Sequence, residues 1–137
     1  MKDSKLLKTI LLISGLIAAG IGGTILLFPT DFYATYNIEL GQNINLLNEM
    51  RASGGALLAS GLIILAGAFS AKLTFTSSLL ASLLYLSYGF SRILSMTVDG
   101  MPNLGLQQAA ILEIVTGLFC VFVLAKSFGN REVQIKL

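Results

Sequence analysis

The intervals between charged residues constrain this chain more than any other feature. No charged side chain occurs from Thr9 to Thr30, from Ala52 to Ala71, or from Leu73 to Ser91. About 20 helical residues cross a hydrocarbon core ~30 Å thick, so each interval is long enough for one membrane span. Pro29 and Asp31 stop the first, which runs over 9–28. Joined as one helix, Ala52–Ser91 would place Lys72 at mid-membrane and overshoot the bilayer about twofold, so Phe69–Thr74 is expected to be a tight hairpin. A fourth interval, 104–125, contains one charge, Glu113, and Gly129 ahead of Asn130, Arg131 and Glu132 reads as its stop. The first interval continues well past the length of a signal-peptide core, so it reads as an uncleaved anchor although Lys2, Lys5 and Lys8 precede it.

The expected fold class is therefore all-α: an integral membrane four-helix bundle forming one domain over residues 1–137. Its spans lie near 9–28, 52–71, 73–91 and 104–125, with an outer interfacial loop over 29–50. Composition agrees. Only 12% of residues are charged, half the share an ordinary soluble domain uses. Seven of the nine basic residues (Lys2, Lys5, Lys8, Lys72, Lys126, Arg131 and Lys136) fall on one side of the four spans, which the positive-inside rule makes cytoplasmic together with both termini. The opposite side carries Asp31, Glu39, Glu49, Arg51, Arg92 and Asp99.

The same inventory removes several kinds of chemistry. With no histidine there is no His-based triad or zinc site, and Cys120, the one cysteine, forms neither an internal disulfide nor a thiolate cage. It reads as a packing residue. Most glycines lie within spans and no Gly-Lys-Ser/Thr follows any of them, so there is no phosphate-binding loop. A net charge of +2, dispersed, is no nucleic-acid footprint. No catalytic residue, metal site or cofactor is expected.

Fourteen glycines suit helices that approach closely. Gly15, Ala19 and Gly23 form one ridge on span 1, with Ala18 and Gly22 beside it; Ala52, Ala56 and Ser60, then Gly67 and Ala71, form the ridge expected on span 2. They serve either the bundle itself or a homo-oligomer. No span resembles another closely enough for an inverted repeat. In the first outer loop, Phe32, Tyr33 and Tyr36 follow a span end, where aromatics anchor at the interface. Ile44, Leu47 and Met50 recur every three residues behind Asn43, so span 2 is expected to begin as an amphipathic helix at the surface. An interfacial brace and a lid over a cavity are both open for this loop.

Glu113 is the residue that chemistry must explain, because a carboxylate within a span costs roughly 2.5–3.5 kcal/mol unless paired, protonated or wet. Ala109, Ala110, Thr116 and Gly117 surround it on its own helix, a face that another helix can approach. A span beginning near Gln107 puts Glu113 about 9 Å below the outer boundary, and one beginning near Asn103 about 15 Å; Gln107 and Gln108 favour the shallower start. Arg51, with Gly54 and Gly55 one turn on, enters span 2 at the outer end, and Arg92 closes span 3 there with Tyr85, Tyr88 and Gly89 on its face. Arginine can bind two carboxylates at once and stays charged. Glu113, Arg51 and Arg92 are therefore expected to form a buried network, with Glu49 and Asp99 on the same side and Tyr85, Tyr88, Gly54 and Gly55 lining a cavity. It serves either as a clasp fixing helix order or as a ligand or ion site. Asp99-Gly100-x-Pro102 is turn chemistry that keeps the loop between spans 3 and 4 compact.

At these residues the chain resembles a family of small bacterial membrane proteins, the domain of unknown function 4345. The likeness rests on Glu49-x-Arg51-Ala52-x-Gly54-Gly55, Gly89-x-x-Arg92, Asp99-Gly100-x-Pro102 and Glu113, with Pro29 and Phe32 after span 1, and covers nearly the whole chain. It implies a single four-span unit in the bacterial inner membrane and supplies no activity. The residues themselves favour a non-enzymatic scaffold, accessory subunit, or binder of a lipid or hydrophobic ligand. The alternative is a small proton- or ion-coupled transporter using Glu113. Expected partners are membrane lipids and either a second copy or another membrane protein.

Overall fold

The computed structural model describes the backbone of residues 2–129 and the side chains of residues 5–129. Arg131 and Lys136, assigned to the cytoplasmic side, lie outside the described residues, as does the side chain of Lys2. The chain folds into five helices: α1 (Lys2–Leu27), α2 (Pro29–Ala34), α3 (Ile44–Phe69), α4 (Thr74–Val98) and α5 (Leu104–Phe128). Four of them, α1, α3, α4 and α5, are long and apolar enough to cross a membrane. There is no strand among the described residues.

Both short connections obey local chemistry. Ser70 ends α3 and Leu73 precedes α4, the hairpin that Lys72 demanded. Thr74 braces it by donating its hydroxyl to the carbonyls of Gly67 and Ser70, each at 3.0 Å. At the other end Asp99 caps α4, Gly100 takes φ +102°, a left-handed conformation that a side chain would strain, and Asn103 caps α5 by accepting from the Leu106 amide at 3.1 Å.

Helix boundaries differ from the sequence reading in two informative places. Asn43 caps α3 directly, so Ile44, Leu47 and Met50 form the first turns of one continuous helix that begins well before residue 52, where span 2 was expected to start. Helix α4 continues through Arg92 to Val98. Arg92 thus lies six residues inside the helix, about 9 Å from its end, because its charge is matched by a neighbour on α5.

The helices pack as two close pairs, α1 with α3 and α4 with α5. Van der Waals contact between backbones is what joins helices where lipid is as apolar as the side chains. A Cβ on Gly22 would collide with the backbone nitrogen of Leu58, one on Gly61 with that of Ala19, and one on Gly54 would lie 2.7 Å from the Leu26 nitrogen. The α3 side of this crossing is therefore Gly54 and Gly61, two turns apart, and not the ridge of Ala52, Ala56 and Ser60; Ala52 and Ala56 point outward and are exposed. In the second pair, Ile114 lies over Gly89 and Leu86 over Gly117. The pairs are joined at the hairpin end by Ser77 of α4, which donates to the Ile63 carbonyl at 2.6 Å.

One core cluster, built around Leu7, Leu11, Ile64, Ala81, Cys120 and Val123, occupies the half of the bundle nearer the hairpin. Phe75 and Phe128 meet edge to face at 5.1 Å at the same end. Tyr85 marks the upper limit of this core, donating its hydroxyl across to the Ser14 carbonyl at 2.6 Å. Tyr85→Phe is expected to cost about 1 kcal/mol, the worth of one such bond, measured by denaturant titration in mixed micelles. No loss would mean that the bond does not help to join α4 to α1.

Candidate functional site

Beyond Tyr85, toward the end that carries the α2–α3 loop and the α4–α5 connection, the interior becomes polar. Helix α5 begins at Leu104, which puts Glu113 about 13 Å along the helix axis, close to the deeper of the two alternatives. The extension of α4 explains how pairing is still reached: Arg92 itself lies below the helix end. Its Nε donates to Glu113 Oε2 at 2.7 Å and its Nη2 to Oε1 at 3.1 Å, a two-point fork. The side chains are 31% and 18% exposed, and this is the one salt bridge found among the described residues.

The rest of the anticipated network is dispersed. Arg51 does not join Glu113. It is exposed and donates through Nη1 to the carbonyls of Leu26 and, at 3.3 Å, Leu27. Those are last-turn carbonyls of α1, which have no partner within their own helix; a guanidinium there satisfies them and meets the negative end of the helix dipole. Glu49 is exposed and makes no hydrogen bond or ion pair among the described residues. Asp99 is exposed at the end of α4, accepting from the Ser95 hydroxyl at 2.9 Å. Gly54 and Gly55 line no cavity: Gly54 is buried in the α1–α3 crossing, and a Cβ on Gly55 would lie 3.9 Å from the Leu26 side chain. Tyr85 is buried at the Ser14 contact, whereas Tyr88 does line a groove.

That groove is a shallow depression, more open surface than enclosed cavity, formed by Ser87, Tyr88 and Ser91 of α4. Tyr88 lies one turn before Arg92 and close enough to both Arg92 and Glu113 to interact with them electrostatically. A second groove of about 220 Å³ lies between α1 and α5, walled mainly by Ile13, Ile17, Val115 and Phe119, with Thr116 among them.

The surroundings of the ion pair also include residues that the sequence reading treated only as interface anchors. Tyr33 and Tyr36 of the first loop are both near Arg92. Tyr36 is fixed there from two directions. Asn103 donates its side-chain amide to the Tyr36 carbonyl, and the Tyr36 ring lies against Gly105, where a Cβ would stand 3.1 Å from it. Phe32 stacks edge-on to Tyr33 at 5.3 Å, and Pro29 and Leu40 are buried. Burial, followed by the neighbouring Tyr88, raises the Tyr33 pKa above its ordinary value, so its phenol stays neutral. The loop therefore rests on the end of the bundle, tied to α5. A sequence signal for this existed in the aromatic spacing of Phe32, Tyr33 and Tyr36, but their partner Asn103 lies 67 positions beyond Tyr36.

Chemically, both Glu113 oxygens are committed to Arg92, while Nη1 of Arg92 has no hydrogen-bond partner among the described residues. No group of three acidic or cysteine ligands that could hold a metal occurs among the described residues. A family model described as a domain of unknown function (DUF4345) matches residues 6–124. No curated protein and no solved structure matches the chain.

Proposed function

The chain belongs to the DUF4345 family, and for a member built in this way we propose a non-enzymatic membrane module that holds a lipid or other hydrophobic molecule beside a structural ion pair. The observation that carries this reading is the closed fork between Arg92 and Glu113 with a shallow, largely apolar depression over Ser87, Tyr88 and Ser91 next to it. The fork fixes α4 against α5, and the groove faces outward from a helix of membrane-spanning length. A scaffold or accessory subunit would use the same construction, with a second copy or another membrane protein as the partner. We place the protein in the bacterial inner membrane on its family resemblance, and put the hairpin end and both termini in the cytoplasm on the strength of Lys5, Lys8, Lys72 and Lys126 at that end.

A proton- or ion-coupled transporter would need a carboxylate free to exchange its cation. Glu113 instead spends both oxygens on an arginine that cannot release its proton. Proton flux into proteoliposomes is therefore expected to be the same for wild type and Glu113→Gln, and indistinguishable from empty liposomes. Flux carried by wild type and abolished by Glu113→Gln would replace the binding reading with the transport one.

A further inference from the structure

The groove between α1 and α5 differs in kind from the depression beside the ion pair. Helices α1 and α5 are not one of the two close pairs, and the trough left between them has a floor as well as walls. Its floor is the buried Ile10 and Ser14; its walls are Ile13 and Ile17 of α1 with Val115 and Phe119 of α5, all exposed. The hydroxyls of Thr9 and Ser14 donate to the carbonyls of Lys5 and Ile10 on their own helix, at 2.9 and 2.6 Å. Thr116 aside, the trough therefore presents hydrocarbon and offers a polar ligand little.

Length and charge identify the occupant. From Leu6 to Ile17 the trough follows α1 for eleven residues, about 16 Å. That is half of a hydrocarbon core ~30 Å thick, the depth of one leaflet. Its volume of about 220 Å³ is below the ~300–1,000 Å³ that encloses a whole drug-sized ligand and suits a single chain. At its end the trough meets positive charge. Lys5 immediately precedes Leu6 and lies one turn before Thr9 on the same face of α1. Ser14 and Cys120 are in contact across the two antiparallel helices, so Lys126, six residues after Cys120, comes level with Lys8, six before Ser14. Lys126 also stands two turns beyond Phe119, on the face of α5 that forms the wall. Both Lys5 and Lys126 are exposed. The acidic residues with described side chains (Asp31, Glu39, Glu49, Asp99 and Glu113) all belong to the opposite half of the protein. A basic mouth on an apolar trough between spanning helices recognises an anionic head group joined to a chain. We propose that the α1–α5 groove binds one acyl chain of an anionic phospholipid, with the lipid phosphate at Lys5 and the charge of Lys126 beside it. This goes beyond a lipid held beside the ion pair, since it sets one in the other half of the bundle.

Purified protein in detergent micelles is titrated with dioleoylphosphatidylglycerol or dioleoylphosphatidylcholine, which share their chains and differ in head-group charge, and adducts are counted by native mass spectrometry. Wild type is expected to bind the anionic lipid at least fivefold more tightly. Lys5→Gln should weaken that binding about fivefold, as the loss of one lysine near a lipid surface does. Lys5→Gln combined with Lys126→Gln should leave less than a twofold preference between the lipids. Ile13→Trp, which puts an indole into the trough, should weaken anionic-lipid binding at least tenfold. Leu83→Trp, at an exposed position on α4 outside the trough, should change it less than twofold. Equal binding of the two lipids by wild type, or anionic-lipid binding that Ile13→Trp leaves unchanged, overturns this site while leaving a lipid bound elsewhere, as beside the ion pair. Binding of neither lipid overturns this site and the lipid-binding reading together; if the spectra then show a dimer that Ile13→Trp dissociates, the trough belongs to a second copy. Lys5, Ile13 and Lys126 are exposed, so the variants keep the fold, and an unchanged elution profile and denaturant midpoint verify it.

Discussion

Arg92→Met is expected to destabilise the protein by about 2 kcal/mol, and Glu113→Leu by at least as much, in denaturant titration from mixed micelles. Breaking a fully buried pair by removing one partner costs about 3–5 kcal/mol; partial exposure, 31% and 18% for these side chains, lowers that figure. The two single variants are not equivalent. Arg92 left alone keeps its charge and must reach for the helix end about 9 Å away. In the double variant Arg92→Met with Glu113→Leu, no charge remains, and more than half of the lost stability should return. Simple addition of the two losses would mean that the fork seen between α4 and α5 contributes nothing as a pair.

Gly61→Ala is expected to be comparably damaging, by about 2–4 kcal/mol. The added methyl would meet the backbone nitrogen and Cα of Ala19, and backbone atoms of a helix cannot rotate aside as a side chain can. The pair must separate or bend, a severe form of overpacking. Gly20→Ala supplies the control, because a Cβ there meets nothing within 4 Å, and helix propensity alone should raise stability by up to about 1 kcal/mol. Equal stability of the two variants in the same titration would show that α1 and α3 do not depend on this crossing.

Four spans and their hairpin are legible in the sequence because charge is scarce enough for its absence to measure length. Boundaries are less so. Arg92 reads as the end of span 3 only while it is considered alone; with Glu113 opposite it, the same arginine is accommodated inside α4, which runs on to Val98. Arg51 is misassigned for a related reason. The carbonyls of Leu26 and Leu27 that it satisfies belong to every helix end and leave no mark in composition. On α3, Gly67 of the expected ridge does pack closely, against Ser77 of α4, but Ala52, Ala56 and Ser60 do not make the α1 crossing; four-residue spacing is common among alanines, whereas that contact selects the residues with no Cβ at all, Gly54 and Gly61.

The α1–α3 crossing also bears on how the chain is assembled as it is synthesised. Its closest contacts involve Gly15, Gly22, Gly54 and Gly61, and Arg51 completes the end of α1, so all of its parts have emerged before α4 is translated. The core cluster, by contrast, needs Cys120 and Val123 from the last helix. Insertion therefore has a natural order, in which the first two spans leave the translocation machinery as a finished pair and the final two close the bundle around it.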